Sequence, residues 1–362
     1  MSTTSGSVTG KAVASSDAAA RPQGRRQRVG PDALWAKAVK RPEAGSLAGV
    51  LLVLVVFVAV APPMHSLVAW SPVIYQASII GIPAVGVALL MIGGEFDLTA
   101  GVAVTTSSLT ASIFAMHVAG NAWAGVALAL VLSLAVGALN GWLLIKTRLH
   151  SFLVTLSTFL MLQGINIALT RLITGGVATG DISSMPGFAS AHAVFASYIR
   201  IGGFALNVSV LYWIVLSVLA TWLLLRTRAG NWIFAVGGNG DAARAVGVPV
   251  ARMKIALYMG VQACVWLLAM HLLFSFDTVQ SGAGVGNELI YIAAAVVGGC
   301  LLTGGYGSAV GAALGALIFG IVTEGVIFAG WNSDWFKFFV GLMLLVATVA
   351  NMWIRRRAVR GK

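Results

Sequence analysis

The sequence predicts an all-α polytopic membrane protein with about ten transmembrane helices and both termini in the cytoplasm. Three observations carry this. First, 59% of the 362 residues are hydrophobic and only 9% are charged, where a soluble domain carries about 25% charged residues. The mean hydropathy is +0.92. A soluble chain this apolar could not solvate its surface, so a soluble enzyme, a disordered protein and a disulfide scaffold are excluded. Second, the apolar residues fall into stretches near the roughly 20 residues that a spanning helix needs. Third, the net charge of +12 is distributed asymmetrically. If the N-terminus is cytoplasmic and ten spans alternate, all Lys and Arg residues but Arg171, Arg200 and Lys337 lie inside. Cytoplasmic loops are enriched in these residues. The basic balance thus reads as topology, and nucleic acid is not an expected partner.

Residues 1–45 read as a disordered basic cytoplasmic tail, with a short surface helix near Trp35. The apolar run after it is followed by Pro62-Pro63 rather than a small-residue cleavage site, so it reads as an uncleaved first span. The spans are expected at 46–68, 73–92, 98–118, 122–145, 151–173, 206–225, 254–276, 288–303, 307–330 and 335–354, so the permeation domain covers 46–354. The eighth is short and reads as a partial span. Residues 355–362 form a basic cytoplasmic end. Trp70, Trp123, Trp142, Trp331, Trp335 and Trp353 lie near span ends, as an interfacial belt requires. Two connections are long: 174–205 outside and nearly uncharged, 226–253 inside and basic.

Several chemistries have no motif. No nucleotide-binding G-x-x-x-x-G-K-[ST] loop exists. Gly282, Gly284 and Gly286 imitate part of a dinucleotide fingerprint but open no βαβ unit. His65, His117, His150, His192 and His271 are scattered, and Cys264 and Cys300 lie in apolar runs. No metal site, disulfide framework or catalytic constellation is expected.

Five segments carry information. Gly93, Gly94, Glu95 and Asp97 form a glycine-rich turn between spans two and three. Asp97 reads either as the cap of the next helix or as part of a re-entrant break lining a cavity. Asn140, between Gly137 and Gly141, suits close helix packing. On span five, Thr155, Thr158, Gln163, Asn166 and Thr170 share an arc of about 140°. Such a polar stripe must face protein or water, and its hydroxyls and amides suit a neutral polyhydroxylated solute as well as they suit helix packing. Thr105, Ser108 and Ser112 repeat the pattern more weakly. In the inner loop, Asp241 begins a short amphipathic run that ends at Gly247. Such a run is either an ordinary loop or a surface helix that transmits force from a cytosolic partner. Gly307, Gly311 and Gly315 form a small-residue face for helix packing, within the chain or between subunits.

Taken together, the turn Gly93–Gly101, Asn140-Gly141, the helix start Phe152–Thr158, the loop Gly237–Gly247 and the run Glu288–Ser308 resemble, in order, the permease subunit of bacterial ATP-binding-cassette importers of the ribose/xylose/arabinose branch. The resemblance spans about residues 73–350. It implies import of a monosaccharide or sugar alcohol across the bacterial inner membrane by two permease chains, identical or different. A binding protein delivers the solute from outside, and two cytosolic ATPases use ATP, for which this chain has no site of its own. The resemblance makes 237–247 the segment docked on the ATPase, through Gly237, Gly238, Asn239, Asp241, Ala243, Arg244 and Gly247. Thr105, Ser108, Thr155, Thr158, Gln163 and Asn166 are then candidate pathway residues, and 174–205 faces the binding protein. Three departures stand out: the extra Glu95-Phe96, Thr99 for the usual Ser, and His150-Ser151 for a Pro pair. They are compatible with a substrate other than ribose, such as a polyol or deoxy sugar. Two rival readings exist. An ion-coupled secondary transporter would use Glu95, Asp97, Glu288 or Glu324, of which only Glu324 lies well inside an expected span. An intramembrane enzyme would need a catalytic constellation that the sequence does not offer.

Overall fold

A computed structural model describes residues 42–332 and 334–360, together with Gly6. The expected tail up to residue 41, with its Trp35 helix, lies outside the described residues, as do the side chains of Trp353 and of 355–362.

Among the described residues, eight helices are long and apolar enough to cross a membrane. Helix α1 (Pro42–Val60) ends at its proline pair, eight residues short of the expected boundary. Proline has no N–H to continue the ladder, and the chain turns through 3-10 segments at Pro62–His65 and Leu67–Ala69. Helix α2 (Trp70–Ile92) follows, then α3 (Thr99–Phe114), which ends in a π-turn at Ala115–Ala119. Next come α4 (Ala122–Thr147), capped by Asn121 on the Trp123 amide at 2.8 Å, and α5 (Ser151–Thr174).

The outer connection is structured. It holds α6 (Phe188–Phe195) and an antiparallel hairpin, β1 (Tyr198–Ile201) against β2 (Phe204–Asn207), in the register Tyr198↔Asn207. Ser183 N–H donates to Asp181 at 2.7 Å and holds this exposed carboxyl below the usual carboxylate range. Helix α7 (Val208–Arg226) returns to the inner face. There the second long connection folds into α8 (Arg228–Gly238) and α9 (Gly240–Ala245). Helix α10 (Val250–Phe276) crosses back. The last three helices are α11 (Asn287–Val297), α12 (Ala309–Phe328) and α13 (Trp335–Arg360).

Helices α2, α3, α10 and α12 are the most buried spans, whereas α1, α4, α5 and α7 turn much of their surface outward. The periphery can be apolar because lipid covers it. Small residues set the closest crossings. A Cβ at Gly137 or Gly141 on α4 would lie 2.8 Å from the Cα of Met259 or Ile255 on α10. A Cβ at Gly311 or Gly315 on α12 would lie 2.0 Å from the carbonyl oxygen of Gly298 or Ala294. The Gly307/Gly311/Gly315 face is therefore filled, from within the chain, by α11 and the turn that follows it.

Helix α11 corrects the expected span 288–303. It has 11 residues, about 16 Å at roughly 1.5 Å per residue, half of a hydrocarbon core of about 30 Å. The other half of this crossing is a run of tight turns, described below.

Candidate functional site

Three glycine pairs meet on the face that the Lys and Arg distribution assigns to the cytoplasm. They come from the α2–α3 turn, the end of α8 and the α11–α12 connection. Gly305 N–H donates to Ile92 O at 2.8 Å. A Cβ at Gly237 would sit 1.8 Å from Ile92 O and 2.6 Å from Gly305 N. A Cβ at Gly304 would sit 2.6 Å from Gly94 Cα and 2.8 Å from Gly237 O. Backbone meets backbone across three distant segments, which only residues without side chains allow. Gly94 also needs its freedom for φ +86°, the left-handed step that turns the chain after α2.

Helix α9 hangs directly on this junction. Asn239 Oδ1 accepts from the amides of Asp241 (3.1 Å) and Ala242 (3.0 Å), so Asn239 is the cap and Asp241 the first-turn acid. Gly247 leaves the helix at φ +84°. Asp241 and Arg244 pair loosely at 3.5 Å and are largely exposed, while Ala243 is buried with Val236, Val248 and Val250. Gly238 has open space around it.

The turn itself is sealed. Asp97 is fully buried. Its carboxylate accepts from the Thr99 amide (2.8 Å), the Thr99 hydroxyl (2.5 Å) and Gln262 Nε2 (3.0 Å). Gln262 and Asn140 amides also donate to Thr99 Oγ1, at 2.9 and 3.2 Å. Tyr258 hydroxyl donates to Phe96 O at 2.9 Å, and Lys254 pairs with Glu95. Asp97 therefore caps α3 and ties the turn to α4 and α10. Sequence reading missed Lys254, Tyr258 and Gln262. Their spacing of four places them on one face of a helix, and that face was legible only as part of an apolar span.

The pathway candidates divide. Thr105 Oγ1 accepts from Gly284 N–H at 2.8 Å, and Ser108 hydroxyl donates to Ala269 O at 3.0 Å, so both hydroxyls join helices or loops within the chain. On α5, Thr155, Thr158, Asn166 and Thr170 are buried and Gln163 is half-buried. The three threonine hydroxyls donate to carbonyls one turn back. Asn166 Nδ2 is buried without a partner. Asn166 and Thr170 line a cavity of about 200 Å³ between α3 and α5, with Thr106, Thr110 and Phe114 opposite.

Carboxylate depth also needs correcting. Glu324 is half-buried on α12, but it is not the only acid at depth. Glu288 and Asp97 both lie beside the start of α3 and are buried.

The fold is that of a polytopic helical transporter subunit whose inner face carries a capped surface helix on a backbone junction. By comparison with known proteins, the chain belongs to the family described as branched-chain amino acid transport system / permease component, which matches residues 70–348. Among its relatives, the ribose import permease protein of Escherichia coli K12 is 31% identical over 315 residues, covering 85% of this chain and 93% of the relative. The fructose import permease protein of Rhizobium meliloti is 30% identical, covering 88% and 87%. The galactose/methyl galactoside import permease protein of Escherichia coli K12 is 29% identical, covering 84% and 93%. No solved structure matches the chain. The chain is a permease subunit of an ATP-binding-cassette importer in the bacterial inner membrane. It is not itself an enzyme, since the ATPase of such systems is a separate subunit.

Proposed function

We propose that this chain forms the pathway for a monosaccharide or sugar alcohol, and that α8 and α9 couple it to a cytosolic ATPase that uses ATP. The family's printed description concerns amino acids, whereas the relatives named above import ribose, fructose and galactose. The polar groups favour the neutral solute. The cavity between α3 and α5 offers hydroxyls and an amide and no charged side chain, which suits hydroxyl groups better than a zwitterion.

One observation carries the coupling assignment. A short, exposed, capped helix is fixed to the α2–α3 turn and the α11–α12 connection through Gly94, Gly237, Gly304 and Gly305. A push on α9 reaches two spanning segments through backbone contacts that cannot flex as side chains do. In this reading Asp241 and Arg244 meet the ATPase, Ala243 anchors the helix, and Gly237, Gly238, Asn239 and Gly247 shape it. Asn166, with Thr155, Thr158 and Gln163 on the same helix, belongs to the pathway side, and Thr105 and Ser108 position neighbouring segments. A second permease chain and an extracytoplasmic binding protein complete the assembly, the latter meeting the outer segment around α6 and the hairpin.

The test is purification of the tagged chain in mild detergent, with co-purifying proteins identified by mass spectrometry. The wild-type chain should retain a cytosolic ATPase, and the double variant Asp241→Ala/Arg244→Ala should lose it while staying folded. Retention by the double variant would remove the coupling assignment.

A further inference from the structure

The eighth crossing is half chain and half helix, and its non-helical half is exposed at membrane depth. Two rulers fix that depth. On α10, Gln262 lies 12 residues after Val250 and 14 before Phe276, near the middle of the helix, and it contacts Thr99 at the start of α3. On α3, Gly101 and Thr105 follow within six residues, about 9 Å. Gly284 meets both: its N–H donates to Thr105 Oγ1 at 2.8 Å, and a Cβ on it would sit 2.1 Å from Gly101 O. The chain leaves α10 at Asp277, whose φ of +60° turns it back. It pairs with the outer segment through Thr179 N–H to Val279 O (2.9 Å) and Ser281 N–H to Val177 O (2.8 Å). It then descends to Gly284, and α11 starts beside Gly101 and runs to the inner face.

Gly282, Ala283, Val285 and Gly286 are exposed along this descent. The amides of 283–287 are spent on Gln280 O, Thr105 Oγ1, Gly282 O, Glu288 and Gly284 O, whereas the carbonyls of Ala283 and Val285 accept none of these bonds. Lipid cannot hydrogen-bond peptide groups, and irregular backbone at such depth occurs only where it is buried in protein or lines water. Three further observations favour water. The descent is continuous with the extracytoplasmic side. Glu288, 7% exposed, places a carboxylate beneath it, accepting from Gly286 N–H at 3.0 Å. The cavity holding the unpartnered Asn166 amide runs outward along α3 from Thr106, next to the Thr105 contact.

We propose that the stretch 282–286 is the mid-membrane wall of the solute pathway, where backbone carbonyls meet the hydroxyls of a neutral solute. This rests on the permease reading and moves the solute contact from the α3 and α5 hydroxyls to a re-entrant backbone.

The test uses the full chain, assembled with its ATPase in membrane vesicles, carrying Ala283→Cys or Val285→Cys. Both side chains are exposed, so either variant tolerates the change. The native Cys264 and Cys300 are buried and give little background. A charged, water-soluble methanethiosulfonate reagent should label both variants at least tenfold faster than Leu219→Cys, on the outward surface of α7. Labelling no faster than at 219 in chains that still hold the ATPase would overturn the proposal and leave the permease reading intact. A wild-type chain that holds no ATPase would count against the permease reading, while the labelling rates would still decide the pathway wall.

Discussion

Two glycine-rich breaks interrupt the membrane-spanning helices, and they end in opposite states. In the α2–α3 turn, Asp97 is fully buried against Thr99 and Gln262, while Tyr258 holds Phe96 O and Lys254 pairs with Glu95. In the stretch before α11, Gly282 and Gly286 stay exposed, and the amides bond within the turns or to Thr105 and Glu288. Both breaks contain glycine and a carboxylate. Polar side chains reach the backbone in both; what separates them is that neighbouring helices close over the first and leave a face of the second exposed. The first break is a seal that joins the inner face to three helices. The second is a run of turns with one open side.

The largest effects test the contacts made by backbone alone. Gly237→Ala forces a methyl group to within 1.8 Å of Ile92 O. Overpacking typically costs about 1–3 kcal/mol, and here neither neighbour can swing aside. We expect a cost at or above the top of that range, read as a lowered unfolding midpoint in detergent and a lost ATPase. Gly284→Ala, 2.1 Å from Gly101 O, should behave alike, whereas Gly282→Ala meets nothing within 4 Å and should leave the midpoint unchanged. Equal damage at 282 and 284 would break the distinction between a packed and an open position in the same loop.

Next come the two carboxylates. Asp97→Ala leaves the Gln262 amide and the Thr99 donors buried without their acceptor, at roughly 1–3 kcal/mol for each donor so stranded. Glu288→Ala strands only an exposed amide that water can satisfy, so its loss should be distinctly smaller. Thermal unfolding of the two variants side by side reads the difference.

A smaller effect is expected at the Glu95–Lys254 pair, which is only partly exposed. Glu95→Gln and Lys254→Gln should each destabilise, and the double variant should cost less than their sum, with a coupling of roughly 0.5–3 kcal/mol. Strict additivity in the double-mutant cycle would mean that the pair does not hold the turn.

The smallest effect on stability belongs to Asp241→Ala/Arg244→Ala. The pair is exposed and 3.5 Å apart, a type that contributes little. No change in unfolding midpoint is expected, so any loss of the ATPase would reflect the interface.

Much of the fold was legible because membrane crossing is written in length, hydropathy and charge. The stretches 73–92, 122–145 and 151–173 differ from α2, α4 and α5 by three residues or fewer at each end. The failures have a common cause. Span one was drawn too long because apolar residues continue past Pro62-Pro63, where the helix cannot. The eighth stretch reads as a partial span, but its expected bounds miss the turns before the helix, because hydropathy does not record a glycine-rich approach from outside. Gly282, Gly284 and Gly286 are the signal for it, and in the sequence they imitate part of a nucleotide motif instead. Asp97 left two readings open, since a cap and a cavity wall need the same residue. Its partner Gln262 lies 165 positions away, and Asn140, which bonds the neighbouring Thr99, lies 41 positions from that residue; no local pattern links them.

Composition and hydropathy, by themselves, determined that this chain spans a membrane and where most helices begin. These follow from transfer free energies summed along the chain, which need no knowledge of neighbours. Which glycines are packed, which carboxylates are sealed and which backbone stays open depend on atoms brought together from distant segments. Only the tertiary structure decided them, because burial is a property of the surroundings and not of the residue.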